Sequence, residues 1–313
     1  MNGDLGADAV GFGRVVRDAL ASAGGDELAI TAEAEPAKRG ALIAPVLGEL
    51  GVWDLRPRED SEEAEAAAAA CRSAGWWGLP YPVAERLAKP SDLDADGLVV
   101  VADVRPTALA AGLDDLRWAA VALDGRRFTT TVLPMTDTVR KIGFAAPLAL
   151  AELDAQGDGD LALALVLPIW TLLGMLDRAM ALTLQHVRDR EQFGQPLAAF
   201  QGVQFQLTDA EVERAGLEEL AKHALWTAQT AQPGAVDDAL ALRLAAVEAA
   251  DVVFRITHQL HGAVGFCDET TLSWISRSSQ PLRRIPFGLS GTRDALTRRI
   301  TTRGLSGLFG PRP

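Results

Sequence analysis

The stretch that decides the fold lies between Arg190 and Gln201 and reads Arg-Glu-Gln-Phe-Gly-Gln-Pro-Leu-Ala-Ala-Phe-Gln. A long helix-forming run leads into it and is predicted to end at Gly194, and a new helix is predicted to begin near Phe200. The stretch groups an arginine fork, an aromatic ring and a glutamine amide at one helix–helix corner, a combination that suits a phosphate or the polar edge of a cofactor. A capped helix hairpin with a surface arginine is the plain structural alternative.

The composition favours a helical protein with an aliphatic core. Of the 313 residues, 48% are hydrophobic but only 6% are aromatic. Such an alanine-rich chain suits close-packed helices better than a β-sandwich, which needs more β-branched and aromatic residues. The formal net charge of −12 argues against a general nucleic-acid binder.

The C-terminal end departs from this acidic balance. From Thr271 onward the chain holds one acidic residue, Asp294, against arginines at positions 277, 283, 284, 293, 298, 299, 303 and 312. The excess of arginine indicates a local anionic ligand or an acidic partner surface, with a solvated basic helix end as the alternative.

The sequence predicts a cytoplasmic protein that does not enter a membrane. Its N-terminus is acidic and has no apolar segment, so no signal peptide is expected. The uncharged run Leu161–Leu176 is interrupted by Pro168 and is shorter than the roughly 20 residues of a membrane span, which favours a buried core helix. Cys71 and Cys267 match no metal or redox spacing and are interpreted as incidental thiols of a reducing cytosol.

Three textures follow one another along the chain, and a domain is predicted for each: residues 1–90, 91–158 and 159–313. The first domain is predicted to be helical, with amphipathic runs at 10–23 and 41–50. An alanine-rich helix is predicted to follow up to Ala74, with Ser61 as its N-cap and acidic residues in its first turn.

The middle region has the character of a small β-domain. Runs rich in valine, threonine and alanine predict strands at 98–102, 118–122, 128–133 and 148–153. The Asp124-Gly125 pair predicts a hairpin turn between the second and third of these runs.

The last region predicts a four-helix bundle. Helices are expected at 161–193, bent at Pro168, and at 200–229. A third is expected from an N-cap at Asp237 to Gly262, and a last one from Gly291 to Thr302. Long helices joined by short corners are typical of such bundles.

A second glycine-containing corner follows the third long helix and reads Gln259-Leu-His-Gly-Ala-Val-Gly265. Its glycines allow a ligand to approach the backbone closely, and they also suit an ordinary helix C-cap. His258 and His261 are spaced as a metal-chelating pair, but no carboxylate pair on a matching helix accompanies them, so no metal site is predicted.

Taken together, the two corners resemble motifs of the acyl-CoA dehydrogenase family. The first resembles the family's R-x-x-F-G-x-x-x-x-x-F-Q signature, and the second resembles its Q-x-x-G-G-x-G element with Ala263 in place of the second of its adjacent glycines. The resemblance implies a mainly α fold with an N-terminal helical domain, a reduced middle β-region and a C-terminal four-helix bundle. It also implies FAD as cofactor, held across a subunit interface by Arg190, Phe193, Gln201, Gln259, Leu260, His261, Gly262, Ala263 and Thr292.

The chain departs from the family pattern where catalysis is expected. The family's usual base is a Glu just before the Gly-Thr that opens the last helix, and here that position is Ser290. The alternative base position, early in the first long helix of the bundle, is Ala164. Between Asp92 and Asp158 there is no match to the T-E-P-x-x-G-S-D segment that holds the flavin ring, and Asp294 stands where the family often has a Gln.

These departures lead to the hypothesis of a degenerate subunit. The chain resembles the short subunit of actinobacterial α2β2 steroid-catabolism acyl-CoA dehydrogenases, which implies a larger partner subunit carrying the catalytic Glu and a bulky, steroid-derived CoA thioester as substrate. Two alternatives stay open: a scaffold of the same fold without flavin, and an autonomous flavoenzyme with an unusual base at Asp154, Asp158 or Asp268.

Overall fold

The computed structural model describes residues 4–102, 105–109, 113, 115–134, 145–268 and 270–304. The helices are α1 Ala7–Ser22, α2 Asp26–Ala34, α3 Arg39–Gly48, α4 Ser61–Trp76, α5 Val83–Leu87, α6 Asp158–Asp189, α7 Gln201–Gln229, α8 Ala235–His261, α9 Thr271–Ser278, α10 Gln280–Arg284 and α11 Leu289–Arg303. The strands are β1 Gly97–Val101, β2 Thr107–Ala108, β3 Trp118–Ala122, β4 Arg126–Val132, β5 Ala146–Gln156, β6 Glu191–Gln192 and β7 Gln195–Pro196.

The N-terminal helices pack against the bundle through α4. Its N-cap is Asp60, whose side chain accepts hydrogen bonds from the backbone N–H groups of Glu62 and Glu63 at 2.8 and 3.0 Å. The prediction of Ser61 as N-cap is therefore wrong by one residue, because the carboxylate of Asp60 reaches both exposed N–H groups first. The alanines of α4 are mostly buried, so this helix approaches α6 closely.

The middle region forms a mixed five-stranded sheet with the order β1-β3-β4-β5-β2. Strands β1 and β3 are parallel, and β3, β4 and β5 follow as antiparallel neighbours. Gly125 has a φ of 85° in the β3–β4 hairpin, as the Asp-Gly pair predicts. The strand predicted at 148–153 is longer, and the short β2 was not predicted because two residues carry no alternation.

The C-terminal part is the predicted bundle of α6, α7, α8 and α11. Helix α6 is long and apolar enough to span a membrane, but 89% of its most apolar window is buried within the protein, as expected of a core helix. It ends at Asp189 rather than near Phe193, because residues 191–196 form the β6–β7 hairpin. Helix α8 begins after Gly234, so Asp237 is not its N-cap; it lies in the first turn and pairs with Arg299.

The predicted domain limits lie close to element boundaries. The limit at residue 90 lies in the connection between α5 and β1, and the limit at 158 coincides with the first residue of α6. The division of the chain into separate domains stays a prediction.

Candidate functional site

The corner between α6 and α7 is a two-residue β-turn with an aromatic tip. Phe193 and Gly194 have φ angles of 52° and 81°, and the backbone N–H of Leu197 donates to the carbonyl of Arg190 at 2.8 Å. A left-handed phenylalanine costs free energy that an Asn or Gly would avoid. The Phe193 ring is 93% exposed and contacts Phe200 edge-on at 6.3 Å between centroids. A strained, exposed aromatic residue of this kind indicates a binding role.

The second corner ends α8, and His261 beside it contacts the last turns of α6. Gly262 has a φ of 64°, and a 3₁₀ turn continues to Phe266. The Nδ1–H group of His261 donates to the Thr257 carbonyl at 2.9 Å, and the His261 ring stacks on His186, in the last turns of α6, with centroids 4.3 Å apart. The stack brings together the ends of two helices that carry the two sequence motifs.

The histidines at this junction are not arranged as a metal site. His258 stacks on Phe266 at 4.5 Å, whereas His261 stacks on His186. Burial lowers the pKa of all three imidazoles, and the nearby Arg190 lowers that of His186 further. The positive charge of the junction at neutral pH therefore comes from its arginines.

One arginine of this junction, Arg255, was not singled out in the sequence. A cavity of about 420 Å³ adjoins the Gly262 corner and is lined by Asp251, Phe254, Arg255, His258, Gln259, Gly262, Phe266 and Arg283. Arg283 is neutralised by Asp251 at 2.5 Å, but Arg255 is exposed and has no carboxylate partner in the described part of the chain. The sequence contains a pattern that could have identified Arg255. Asp251, Arg255 and Gln259 are spaced four residues apart and so share one face of α8.

Most of the remaining predicted cofactor residues lie at one of the two corners, but Thr292 does not. Gln201 is exposed at the start of α7, and Gln259 and Ala263 are exposed at the second corner, while Leu260 is buried beneath it. Thr292 does not join them: it is buried, and its hydroxyl donates to the carbonyls of Phe287 and Gly288 at 3.1 and 3.0 Å. The structure thus groups the two corners and places the Thr292 hydroxyl inside the first turn of α11.

The two positions that match the base positions of the acyl-CoA dehydrogenase family differ in exposure. Ser290 is exposed in the first turn of α11, whereas Ala164 lines a narrow cavity of about 30 Å³ between β1, α6 and residues 281–286. Glu85 lines the same cavity and has no ion-pair partner among the described residues. Burial raises the pKa of Glu85 to about 7. Sequence reasoning missed this carboxyl, because Glu85 and Ala164 line the same cavity but are distant in sequence.

The aspartates considered as unusual bases lie elsewhere. Asp154 and Asp158 are exposed, and Asp268 is exposed and pairs with Arg277. None of the three is among the residues that line the Ala164 cavity.

The cysteines differ in environment. Cys267 is exposed directly after the 3₁₀ turn, whereas Cys71 is buried in α4, where burial raises the pKa of its thiol far above the usual range.

The C-terminal arginines mostly have partners within the chain. Arg283, Arg293 and Arg299 pair with carboxylates of α8, which are Asp251, Glu248 and Asp237. Arg312 lies outside the described residues. Much of the basic excess therefore neutralises the acidic surface of α8.

Comparison with known proteins identifies the fold. Residues 166–304 match the family model described as the acyl-CoA dehydrogenase C-terminal domain. A short-chain-specific acyl-CoA dehydrogenase of Megasphaera elsdenii is 29% identical over 145 residues, which is 45% of this chain and 35% of that protein. This chain thus matches about a third of the length of that relative.

Solved structures match over nearly the whole chain. A variant of the Tcur3481–Tcur3483 steroid ACAD superposes with a TM-score of 0.77 at 20% identity, covering 97% of this chain and 100% of that one. The ChsE4–ChsE5 complex of Mycobacterium tuberculosis gives a TM-score of 0.74 at 19% identity, covering 96% and 99%. The protein therefore has the acyl-CoA dehydrogenase fold, and residues 166–304 are similar to the C-terminal domain of that family.

Proposed function

We propose that this chain is a subunit of a heteromeric, FAD-dependent acyl-CoA dehydrogenase that acts on a bulky, steroid-derived CoA thioester. In this proposal the chain completes the FAD site of a larger partner subunit, which carries the catalytic Glu. The observation that carries it is the pair of corners at Phe193 and Gly262. They are linked through the His186–His261 stack, and Phe193, Arg190 and Arg255 are exposed at them.

The residues at the corners fit part of an FAD molecule. Arg190 and Arg255 are exposed and have no carboxylate partner among the described residues, so both can engage a phosphate. A Cβ added at Gly194 or Gly262 would meet nothing within 4 Å, so the backbone there is open to a ligand. When bound, FAD supplies the hydride acceptor of the reaction. The residues of this chain would bind and orient it, since neither Ser290 nor Ala164 can remove a proton.

The relatives support a heteromeric arrangement. Two of the matching structures are named as a steroid ACAD of two components and as a ChsE4–ChsE5 complex. A second subunit would also cover Phe193, whose ring is 93% exposed in the single chain.

The test begins with co-purification. The chain is co-expressed with the products of neighbouring genes, and the visible spectrum of the complex is recorded. A yellow complex with a larger partner is expected. A colourless complex would favour the scaffold without flavin. A yellow homo-oligomer active on its own would favour the autonomous enzyme, for which Glu85 beside Ala164 is the one structural observation in favour.

A substitution then tests the corner itself. Arg190→Ala is expected to weaken FAD retention by about tenfold, or about 1.4 kcal/mol, because it removes an exposed guanidinium from the phosphate-facing corner. Flavin per complex is measured after gel filtration, with circular dichroism as the check on folding. Arg298→Ala, which removes an exposed arginine of α11, is the matched control. Equal flavin content in the Arg190→Ala complex and the wild type would contradict the proposed role.

A further inference from the structure

A cleft of about 480 Å³ opens between α1, α4, α6 and α7, on a part of the molecule that the FAD proposal does not use. Its size lies in the range of small-molecule sites. The residues that line it are Leu5, Val10, Gly13, Arg14, Arg17, Ala69, Arg72, Ser73, Trp76, Asp177, Met180, Ala181, Leu184, Glu211 and Arg214.

One wall of the cleft is apolar. Trp76, Met180 and Leu184 are its large apolar side chains, and the small Ala181 also lines it. Leu184 is 36% exposed, so the cleft keeps apolar surface in contact with water. Covering that surface with an aliphatic ligand would be favourable by about 25 cal/mol per Å² removed from water.

The carboxylates of the cleft are already neutralised. Asp177 accepts from Arg72 at 2.6 Å and from Arg214 at 3.0 Å. Glu211 accepts both of its hydrogen bonds from Arg214, at 2.8 and 2.7 Å. Neither acid is therefore available to another cation, and neither repels an incoming anion strongly.

Two further arginines of the cleft lack such partners. Arg14 and Arg17 lie one turn apart on α1, on the same helix face as Val10 and Gly13. The Arg17 guanidinium lies over the Trp76 ring at 4.6 Å from the centroid. Within the described part of the chain neither arginine has a carboxylate partner, so the rim of an apolar cleft carries two cations without counter-ions.

We propose that this cleft binds an amphipathic carboxylate, with Arg14 and Arg17 holding the carboxylate and Trp76, Met180 and Leu184 covering an aliphatic tail. An uncharged apolar molecule would leave the two guanidiniums without a counter-ion, and a bare phosphate would leave the apolar wall in water. The two observations together select a ligand that has both an anionic head and a hydrocarbon tail.

The experiment is isothermal titration calorimetry of the full chain with decanoate, kept below its micelle concentration, at low salt. One saturable site per chain is expected. The double variant Arg14→Gln/Arg17→Gln should weaken binding at least about tenfold, and Ala181→Phe should weaken it by filling the space for the tail. Decanol should bind less tightly than decanoate, and added salt should weaken decanoate binding.

Controls separate this site from non-specific association. Arg298→Gln removes an arginine from the exposed surface of α11 and should leave decanoate affinity unchanged. Thermal unfolding of each variant confirms that it is folded. Equal affinity in the wild type and the double variant, or decanol binding as tightly as decanoate, would overturn the proposal. Absence of saturable binding, combined with loss of partner assembly in Ala181→Phe, would overturn it in favour of a protein contact surface.

Discussion

The protonation of Glu85 depends on the fold. This residue lines the cavity between β1 and α6, and no cation pairs with it in the described part of the structure. Burial raises its pKa from 4.5 to about 7, because the ionised carboxylate loses water without gaining a partner. The folded protein therefore holds a proton on Glu85 at pH values where the unfolded chain has released it.

This property gives a pH-dependent stability. Between pH 4.5 and about 7 the folded state binds more protons than the unfolded state, so the free energy of unfolding falls as the pH rises through this range. The contribution of Glu85 is fully present below pH 4.5 and is lost once the pH has risen through 7. The Glu85→Gln variant keeps a neutral side chain at every pH. Its free energy of unfolding relative to the wild type should therefore rise by about 2–3 kcal/mol as the pH increases from 4.5 to 8. Urea unfolding across this range measures the difference, with the exposed Glu49→Gln as control. Parallel pH profiles of the Glu85→Gln variant and the wild type would show that Glu85 is not held in its neutral form.

At the scale of elements, the crossing of α4 and α6 depends on two glycines. A Cβ at Gly174 would lie 1.9 Å from the Arg72 carbonyl oxygen, and a Cβ at Gly75 would lie 1.8 Å from the Thr171 carbonyl oxygen. Backbone atoms cannot move aside as a flexible side chain can, so each glycine permits a close approach that no other residue allows.

Gly174→Ala should therefore destabilise the protein by about 3 kcal/mol or more, although alanine is the better helix former. Gly216→Ala is the matched control, because Gly216 lies inside α7 with nothing within 4 Å of its added Cβ. The control should stabilise by up to about 1 kcal/mol. Chemical denaturation measures the free energy of unfolding of both variants, which should fall for Gly174→Ala and rise for Gly216→Ala. An unchanged free energy of unfolding for Gly174→Ala would mean that the helices can separate at little cost.

The elements also show how far the sequence predicts the structure. The limits of α7 and the location of α6 and α8 follow from apolar periodicity sustained over many turns. The helices α5 and α10 were missed because five residues each carry too little of that period. The glycine contacts, the His186–His261 stack and the Glu85–Ala164 cavity join residues that are distant in sequence, so no local pattern reports them.

At the scale of the whole molecule, ion pairs join the N-terminal helices to the bundle. Arg72 of α4 pairs with Asp177 of α6 and Glu218 of α7, and Arg214 pairs with the same two acids. Burial alone would raise the pKa of Glu218, but hydrogen bonds from Arg72 and Arg214 outweigh it and lower this pKa to about 2. The three helices thus share one partly buried charge network.

The contribution of this network to stability depends on pH in the opposite direction to that of Glu85. Because the folded pKa of about 2 lies below the unfolded value of 4.5, the stabilisation is complete above pH 4.5 and is lost as the pH falls toward 2. Glu218→Gln should cost about 2–3 kcal/mol at pH 7 and progressively less toward pH 3. Urea unfolding at both pH values tests this, with Glu213→Gln on the exposed face of α7 as control. A loss that is the same at pH 3 and pH 7 would contradict the network as its origin.

The unequal burial of the two cysteines makes the chain ready for site-selective labelling. Cys71 is enclosed in α4, and burial disfavours its thiolate, whereas Cys267 is exposed one residue after Phe266. A maleimide dye therefore has one accessible thiol in the native protein, and this thiol lies at the end of the turn that follows Gly262. The emission of such a dye would report when another molecule covers that turn, without any cysteine having to be introduced.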